Sequence, residues 1–112
     1  MEFSYVVQGD ILVITLQGEH LDALIASSFK EGILDLIRKM EVTKVVFDFN
    51  NLQFIDSSGL GAFLAIQRML NKQGGILKLA NLNKSIQTMV EIISMHRILD
   101  IFPTADDAVK SF

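Results

Sequence analysis

Apolar residues recur along the chain with two different periods, which predict strands and helices in turn. Short runs rich in β-branched and aromatic residues predict five strands, at Phe3 to Gln8, Ile11 to Gln17, Lys44 to Phe49, Ile76 to Ala80 and Ile98 to Phe102. Between and after them, apolar side chains repeat at helical spacing in four segments. The predicted order of elements is therefore ββαβαβαβα.

This order predicts an α/β fold with a mostly parallel sheet, because strands alternate with helices that cross over between them. Gly9 and Asp10 separate the first two strands and suit a tight hairpin turn, so we expect the N-terminal strand to run antiparallel to the second. Lys44 to Phe49 is apolar on both faces, which is typical of a parallel strand covered on both sides. We expect one domain over residues 1–112.

Capping residues mark the predicted ends of the helices. Asp22 or a near neighbour is expected to cap the first helix, Asn83 the third and Thr104 the fourth. Gly74 and Gly75 are expected to stop the second helix. Gly32 interrupts the first helix, for which close packing against the sheet is one explanation.

Composition and charge narrow the classes of function. Half of the 112 residues are apolar, which predicts a packed globule, and the net charge of −3 argues against a nucleic-acid or anionic-lipid partner. The absence of cysteine excludes a disulfide framework and thiolate chemistry. No apolar run approaches the roughly 18 residues of a membrane span, and the N-terminus lacks the basic start of a signal peptide. We therefore expect a soluble cytoplasmic protein without membrane insertion.

The candidate chemistry is concentrated in the loop from Phe54 to Gly61, between the third strand and the second helix. An acid, two hydroxyls and two glycines meet there at a helix N-terminus, where unpaired N–H groups favour anions and attached phosphate. Ser57 and Ser58 are either phosphorylation sites or simple helix caps. Asp56 is interpreted mainly as a capping acid that holds the loop, as is Asp48 at the end of the preceding strand.

The glycines of this loop have two interpretations of their own. Gly59 and Gly61 lack side chains, so they either serve turn geometry or let another chain approach closely. We favour close approach, because the two glycines flank Leu60, which is expected to be exposed.

The Asp-Ser-Ser-Gly-Leu-Gly core, Asp56 to Gly61, resembles the phosphorylation loop of the STAS domain, the fold of bacterial anti-sigma factor antagonists. The strand at Val45–Asp48, the Gly74-Gly75 break and the strand from Leu77 to Leu82 agree with that family's pattern, and the resemblance extends roughly from Tyr5 to Phe112. His20 reads as one extra residue relative to the family.

This resemblance implies a binding protein controlled by phosphorylation. The serine directly after the acid, Ser57, is the implied phosphorylation site, with Ser58 as the alternative. The dephosphorylated protein is expected to dock onto an anti-sigma factor that is also a serine kinase, and so to free a sigma factor, and a phosphatase would reverse the modification. No catalysis and no cofactor are implied. The expected partner-binding residues are Asp56, Ser57, Ser58, Gly59, Leu60, Gly61 and Leu64.

Two alternatives remain open at the level of sequence. STAS domains also serve as non-switching scaffold subunits of lipid-transport or signalling assemblies. A receiver-like domain phosphorylated on Asp48 or Asp56 is disfavoured, because receivers carry an acidic pair after the first strand and a lysine beside a proline after the fifth, whereas Pro103 directly follows Phe102. His20 and His96 lack metal-ligand spacing, and the chain has no Gly-x-Ser-x-Gly elbow or P-loop.

Overall fold

The computed structural model of the protein describes all 112 residues and contains seven strands and four α-helices. The strands are β1 (Phe3–Gln8), β2 (Ile11–Leu16), β3 (His20–Leu21), β4 (Lys44–Asp48), β5 (Phe54–Ile55), β6 (Ile76–Ala80) and β7 (Asp100–Phe102). The helices are α1 (Ala26–Met40), α2 (Ser57–Lys72), α3 (Lys84–Ile92) and α4 (Ala105–Lys110), with a short 3₁₀ turn at Met95–Arg97.

The main sheet has five strands in the order β1-β2-β4-β6-β7. The β1–β2 pair is antiparallel, and the other three pairs are parallel. This arrangement confirms the predicted α/β fold and its N-terminal hairpin. A second, two-stranded sheet of β3 and β5 was not predicted, and it lies beside the loop that carries the candidate site.

Helices cover both faces of the main sheet. On one face α1, α2 and α3 enclose the larger core, in which Phe29, Phe47, Phe49 and Phe63 contact one another with ring centroids 5.0–6.3 Å apart. On the other face α4 covers a smaller apolar cluster. Alternate residues of β4 enter the two cores, which confirms the prediction that this strand is buried on both sides.

Several predicted helix ends are confirmed. Asn83 Oδ1 accepts a hydrogen bond from the Ile86 N–H at 2.8 Å and caps α3, and Thr104 Oγ1 accepts one from the Asp107 N–H at 3.1 Å and caps α4. After α2 the chain turns at Gly74, whose φ of +74° lies in the left-handed region that favours glycine.

Three local expectations are wrong. The first helix begins at Ala26 without a side-chain cap, because Asp22 accepts instead from the Leu24 N–H within the preceding turn. Gly32 does not serve close packing, since a Cβ added there would meet no atom within 4 Å. The last strand begins at Asp100 rather than at Ile98. None of the helices is both long enough and apolar enough to cross a membrane.

Candidate functional site

One carboxylate organises the loop before α2. Asp56 Oδ1 accepts a hydrogen bond from the Gly59 N–H at 3.0 Å and thereby caps the helix. Its Oδ2 accepts a second bond from the Ala23 N–H at 3.1 Å, and its own N–H donates to the Leu21 carbonyl at 3.2 Å. Asp56 therefore joins the start of α2 to the segment before α1, and its predicted capping role is confirmed.

The two serines are displayed at the surface. Ser57 and Ser58 are the first residues of α2, and both are exposed. The expectation that a serine caps this helix is wrong, because the capping group is the side chain of Asp56. Both hydroxyls are thus free for other chemistry, at the end of the helix where the backbone dipole favours negative charge.

The two residues that follow the serines, Gly59 and Leu60, are buried. Leu60 is only 1 % exposed and packs in the main core, so the expectation that it is exposed is wrong. Gly59 is also buried, and a Cβ there would lie 2.6 Å from Ile55 Cγ1 and 2.7 Å from the Leu21 carbonyl oxygen. Its missing side chain serves the fit of α2 against β3 and β5, and both Gly59 and Leu60 are shielded from solvent in this conformation.

Gly61 and Leu64 lie on the outer side of α2. Gly61 is exposed, and a Cβ there would meet no atom within 4 Å, so the space above it is open. Leu64 is half-buried at the margin of the main core. The accessible part of the predicted site therefore consists of the two serines and Gly61, with Asp56 and Leu64 partly accessible.

The small sheet of β3 and β5 sets the position of the loop. His20 pairs with Phe54 and Leu21 with Ile55 in a parallel ladder. The N–H groups of Gln53 and Phe54 both donate to the carbonyl of Glu19, at 2.8 and 3.0 Å. Sequence reasoning missed this ladder and placed His20 in a loop, whereas it occupies a strand position. Each of the two strands has only two residues, one exposed and one buried. A segment of this length is too short for an alternating pattern to predict a strand.

Side chains from neighbouring loops hold the segment before β5. Asn83 Nδ2 donates to the carbonyls of Leu52 and Gln53 at 3.3 and 3.2 Å. Asp48 Oδ1 accepts from the Asn50 N–H and from Asn81 Nδ2, both at 2.9 Å. Asp48 therefore has a structural role, as predicted, and its carboxylate bonds within the loops at the ends of β4 and β6.

Exposed apolar side chains and a groove occur on the segments that border the loop. Leu24, one residue after the Ala23 N–H that Asp56 binds, is 92 % exposed, and Phe54 in β5 is also exposed. A groove of about 330 Å³ runs between α1 and α2. The groove is lined mostly by small residues, and its lining includes Ala23, Ala26, Lys30, Ser58, Gly61 and Ala62. Ser58 and Gly61 therefore border a groove that can receive side chains of another protein.

Comparison with known proteins identifies the family. The model of the STAS domain matches residues 2–108, so the chain belongs to the STAS domain family. It is 26 % identical over 99 residues to an anti-sigma F factor antagonist of Paenibacillus polymyxa, covering 88 % of this chain and 84 % of that protein. It is 28 % identical over 97 residues to an anti-sigma-B factor antagonist of Bacillus subtilis (strain 168), covering 87 % of this chain and 86 % of the relative.

Solved structures agree with this assignment. The structure of the Bacillus cell fate determinant SpoIIAA in its phosphorylated form superimposes with a TM-score of 0.72 at 25 % identity, and covers 98 % of each chain. The resemblance to the STAS domain is thus confirmed for the fold of the whole chain.

Proposed function

We propose that this protein is an anti-sigma factor antagonist whose binding is switched by phosphorylation of Ser57. Two relatives that align over most of their length carry the name of anti-sigma factor antagonist, which supports the antagonist role. The proposal that Ser57 is the phosphorylation site rests on one observation, which is that the residue that caps α2 is not the residue that is exposed. Asp56 performs the capping, and Ser57 is left exposed at the N-terminus of α2.

The geometry supports Ser57 as a kinase substrate. A hydroxyl that is exposed at the first position of a helix can be reached by another protein without unfolding the domain. A structural relative, the Bacillus cell fate determinant SpoIIAA, has been solved in a phosphorylated form, which supports a phosphorylation site on this fold. Ser58 is also exposed but lines the groove between α1 and α2, so we place it second.

The switch acts through the interface and leaves the fold unchanged. Phosphate adds about −1.5 to −2 charges, and the free N–H groups of the helix N-terminus tolerate it while the loop faces water. In a complex that excludes water, the same charge beside the Asp56 carboxylate is expected to cost about 3–4 kcal/mol, unless the partner supplies a cation. This cost would weaken binding by two to three powers of ten.

The docking surface extends beyond the loop to Leu24. This side chain is almost fully exposed, and the hydrogen bond from Ala23 to Asp56 holds its segment against the loop. Large apolar side chains that become buried at the centre of an interface commonly dominate its energy. Leu24→Ser should therefore weaken binding of the anti-sigma factor while the free energy of unfolding stays unchanged.

In-vitro phosphorylation tests the proposed site. The purified protein is incubated with ATP and anti-sigma factor kinases from the same genome, and the modified residue is mapped by mass spectrometry. Wild type should gain one phosphate at Ser57, and Ser58→Ala, the matched control, should gain it equally. Ser57→Ala should gain none. Stoichiometric modification of Ser57→Ala would contradict the assignment and move the site to Ser58.

A further inference from the structure

The two edges of the main sheet differ in how they are protected. Natural edge strands avoid pairing with other chains by being short, charged, bulged or interrupted by proline. The β7 edge has three residues and is followed at once by Pro103. The β1 edge has six residues in unbroken register with β2, and it contains no proline and no charge between Glu2 and Asp10. Only the β1 edge is therefore open to strand addition.

The backbone of β1 offers a regular set of free hydrogen-bonding groups. Gln8 pairs with Ile11 across the two-residue turn, and the Gln17 N–H donates to the Glu2 carbonyl at 2.9 Å. The even-numbered residues therefore exchange hydrogen bonds with β2, because bonded and non-bonded pairs alternate in an antiparallel ladder. Phe3, Tyr5 and Val7 consequently direct their N–H and C=O groups away from β2, at the open edge.

The side chains at this edge are also unusually apolar for an exposed strand. Tyr5 is 46 % exposed, Val6 55 % and Val7 47 %. Tyr5 and Val7 stand on the face that carries α1, opposite Ile14 and Leu12, and Val6 stands on the other face, opposite Val13. A strand added at this edge would cover apolar surface on both faces of the sheet.

We propose that the occupant is a second copy of this chain, paired antiparallel through β1 about a two-fold axis at Tyr5. Such an axis is perpendicular to the sheet, so the same face of each copy lies on the same side of the joined sheet. The outward N–H and C=O groups belong to odd-numbered residues, so odd-numbered residues of one copy must lie opposite odd-numbered residues of the other. Centred on Tyr5, the pairing sets Phe3 opposite Val7 of the copy. The outward groups of Phe3, Tyr5 and Val7 then bond to those of the copy, and the two five-stranded sheets become continuous.

Charge selects this register over its neighbour. Centring the axis on Tyr5 sets Glu2 opposite Gln8 of the copy, with no like charges in contact. Centring it on Val6 would set Glu2 opposite Asp10 of the copy, which is unfavourable. Centring it on Ser4 would set Val7 opposite Met1, which lies outside β1. Only the register centred on Tyr5 therefore pairs all three outward-facing residues of β1 with no like charges in contact, which favours a second copy over a foreign strand.

The proposed dimer leaves the phosphorylation loop accessible. β1 pairs only with β2, whereas Ser57 begins α2 after β5. Because the axis reverses the direction of the strands, the two loops would lie at opposite ends of the joined sheet. One strand pair gives a small interface, so we expect a weak and reversible dimer.

Cysteine cross-linking tests the register, since the natural chain contains no cysteine. Directly opposed residues of a hydrogen-bonded pair have Cα atoms about 5.5 Å apart, within the range of disulfides. Tyr5→Cys should therefore form a covalent dimer in a glutathione redox buffer. The control, Ser4→Cys on the same strand, should not, because its two copies are diagonal neighbours about 7–8 Å or more apart. Equal cross-linking of both variants, or none in Tyr5→Cys, would overturn the proposal.

Sedimentation equilibrium of the natural chain and of variants that contain no cysteine measures the dimer dissociation constant independently. Gln8→Lys should tighten the dimer several-fold, because each lysine faces Glu2 of the copy, and Gln8→Glu should loosen it. Tyr5→Lys should weaken the dimer several-fold, since the axis brings the two charges together. Ser57→Asp should leave the dimer constant unchanged, which separates this inference from the phosphorylation switch. A wild-type chain that stays monomeric at millimolar concentration would refute it.

Discussion

Replacing Asp56 by alanine tests whether one carboxylate holds the loop that displays Ser57. The substitution removes the cap of α2 at Gly59 and also the bond to the Ala23 N–H. Loss of an N-cap costs about 0.5–2 kcal/mol. A hydrogen bond to an ionised acceptor contributes about 1.5–3 kcal/mol, and the lower half of that range applies because Asp56 is only half-buried. We expect the free energy of unfolding to fall by about 2–4 kcal/mol.

Urea denaturation followed by circular dichroism measures this loss, and Asp56→Asn provides the matched control. Asparagine caps helices as well as aspartate does, so the bond to the Gly59 N–H survives. Its amide nitrogen, however, is a donor and cannot accept from the Ala23 N–H. Asp56→Asn should therefore lose only part of the stability that Asp56→Ala loses.

Amide hydrogen exchange separates the two bonds directly. In Asp56→Asn the Gly59 amide should stay protected while the Ala23 amide exchanges faster, and in Asp56→Ala both should exchange faster. A loss of less than about 0.5 kcal/mol in Asp56→Ala, the range of ordinary surface substitutions, would refute the organising role of this carboxylate.

Three further outcomes are expected. Gly59→Ala should lower the free energy of unfolding by about 1–3 kcal/mol, because its Cβ would press on the Leu21 carbonyl oxygen, and urea denaturation measures this. Gly61→Ala, in open space, should raise it by about 0.5–1 kcal/mol while weakening binding of the anti-sigma factor; stronger binding would contradict the docking surface. The hydrogen bond from Lys44 holds the pKa of Asp10 below its usual 3.8. The ion pair therefore stabilises the fold above pH 3.8 and ceases to do so as the pH falls through the lowered pKa. Asp10→Asn should accordingly lower the Tm at neutral pH, and the difference from wild type should shrink in acid.

The overall fold could be predicted from the sequence because its signals are local and agree with one another. The strand β4 is apolar on both faces, the turn at Gly9 has hairpin composition, and Asn83 and Thr104 are good caps at the positions where helices begin. Each signal extends over one element and predicts the same alternating order, so an error at one boundary did not change the fold.

The details of the site depended on contacts between distant segments, which no local pattern reveals. The burial of Leu60 follows from the packing of α2 on the core, although the two flanking glycines suggested exposure. Local composition allowed both Asp56 and the serines as caps of α2, and the bond from Ala23, 33 residues away, is one reason why the acid occupies that position. The β3–β5 ladder involves only two residues from each segment, too few for a period to be recognised.

The affinity of the anti-sigma factor for the two forms of this protein tests the central claim most directly. Protein phosphorylated at Ser57 by the kinase, and the same preparation after phosphatase treatment, would each be titrated with the anti-sigma factor in a calorimeter, with a non-hydrolysable nucleotide to prevent turnover. Hydrogen exchange would monitor the fold of both forms. We predict that phosphorylation raises the Kd by about 10²–10³ while the fold is unchanged. Equal Kd values for the two forms would contradict the proposed switch.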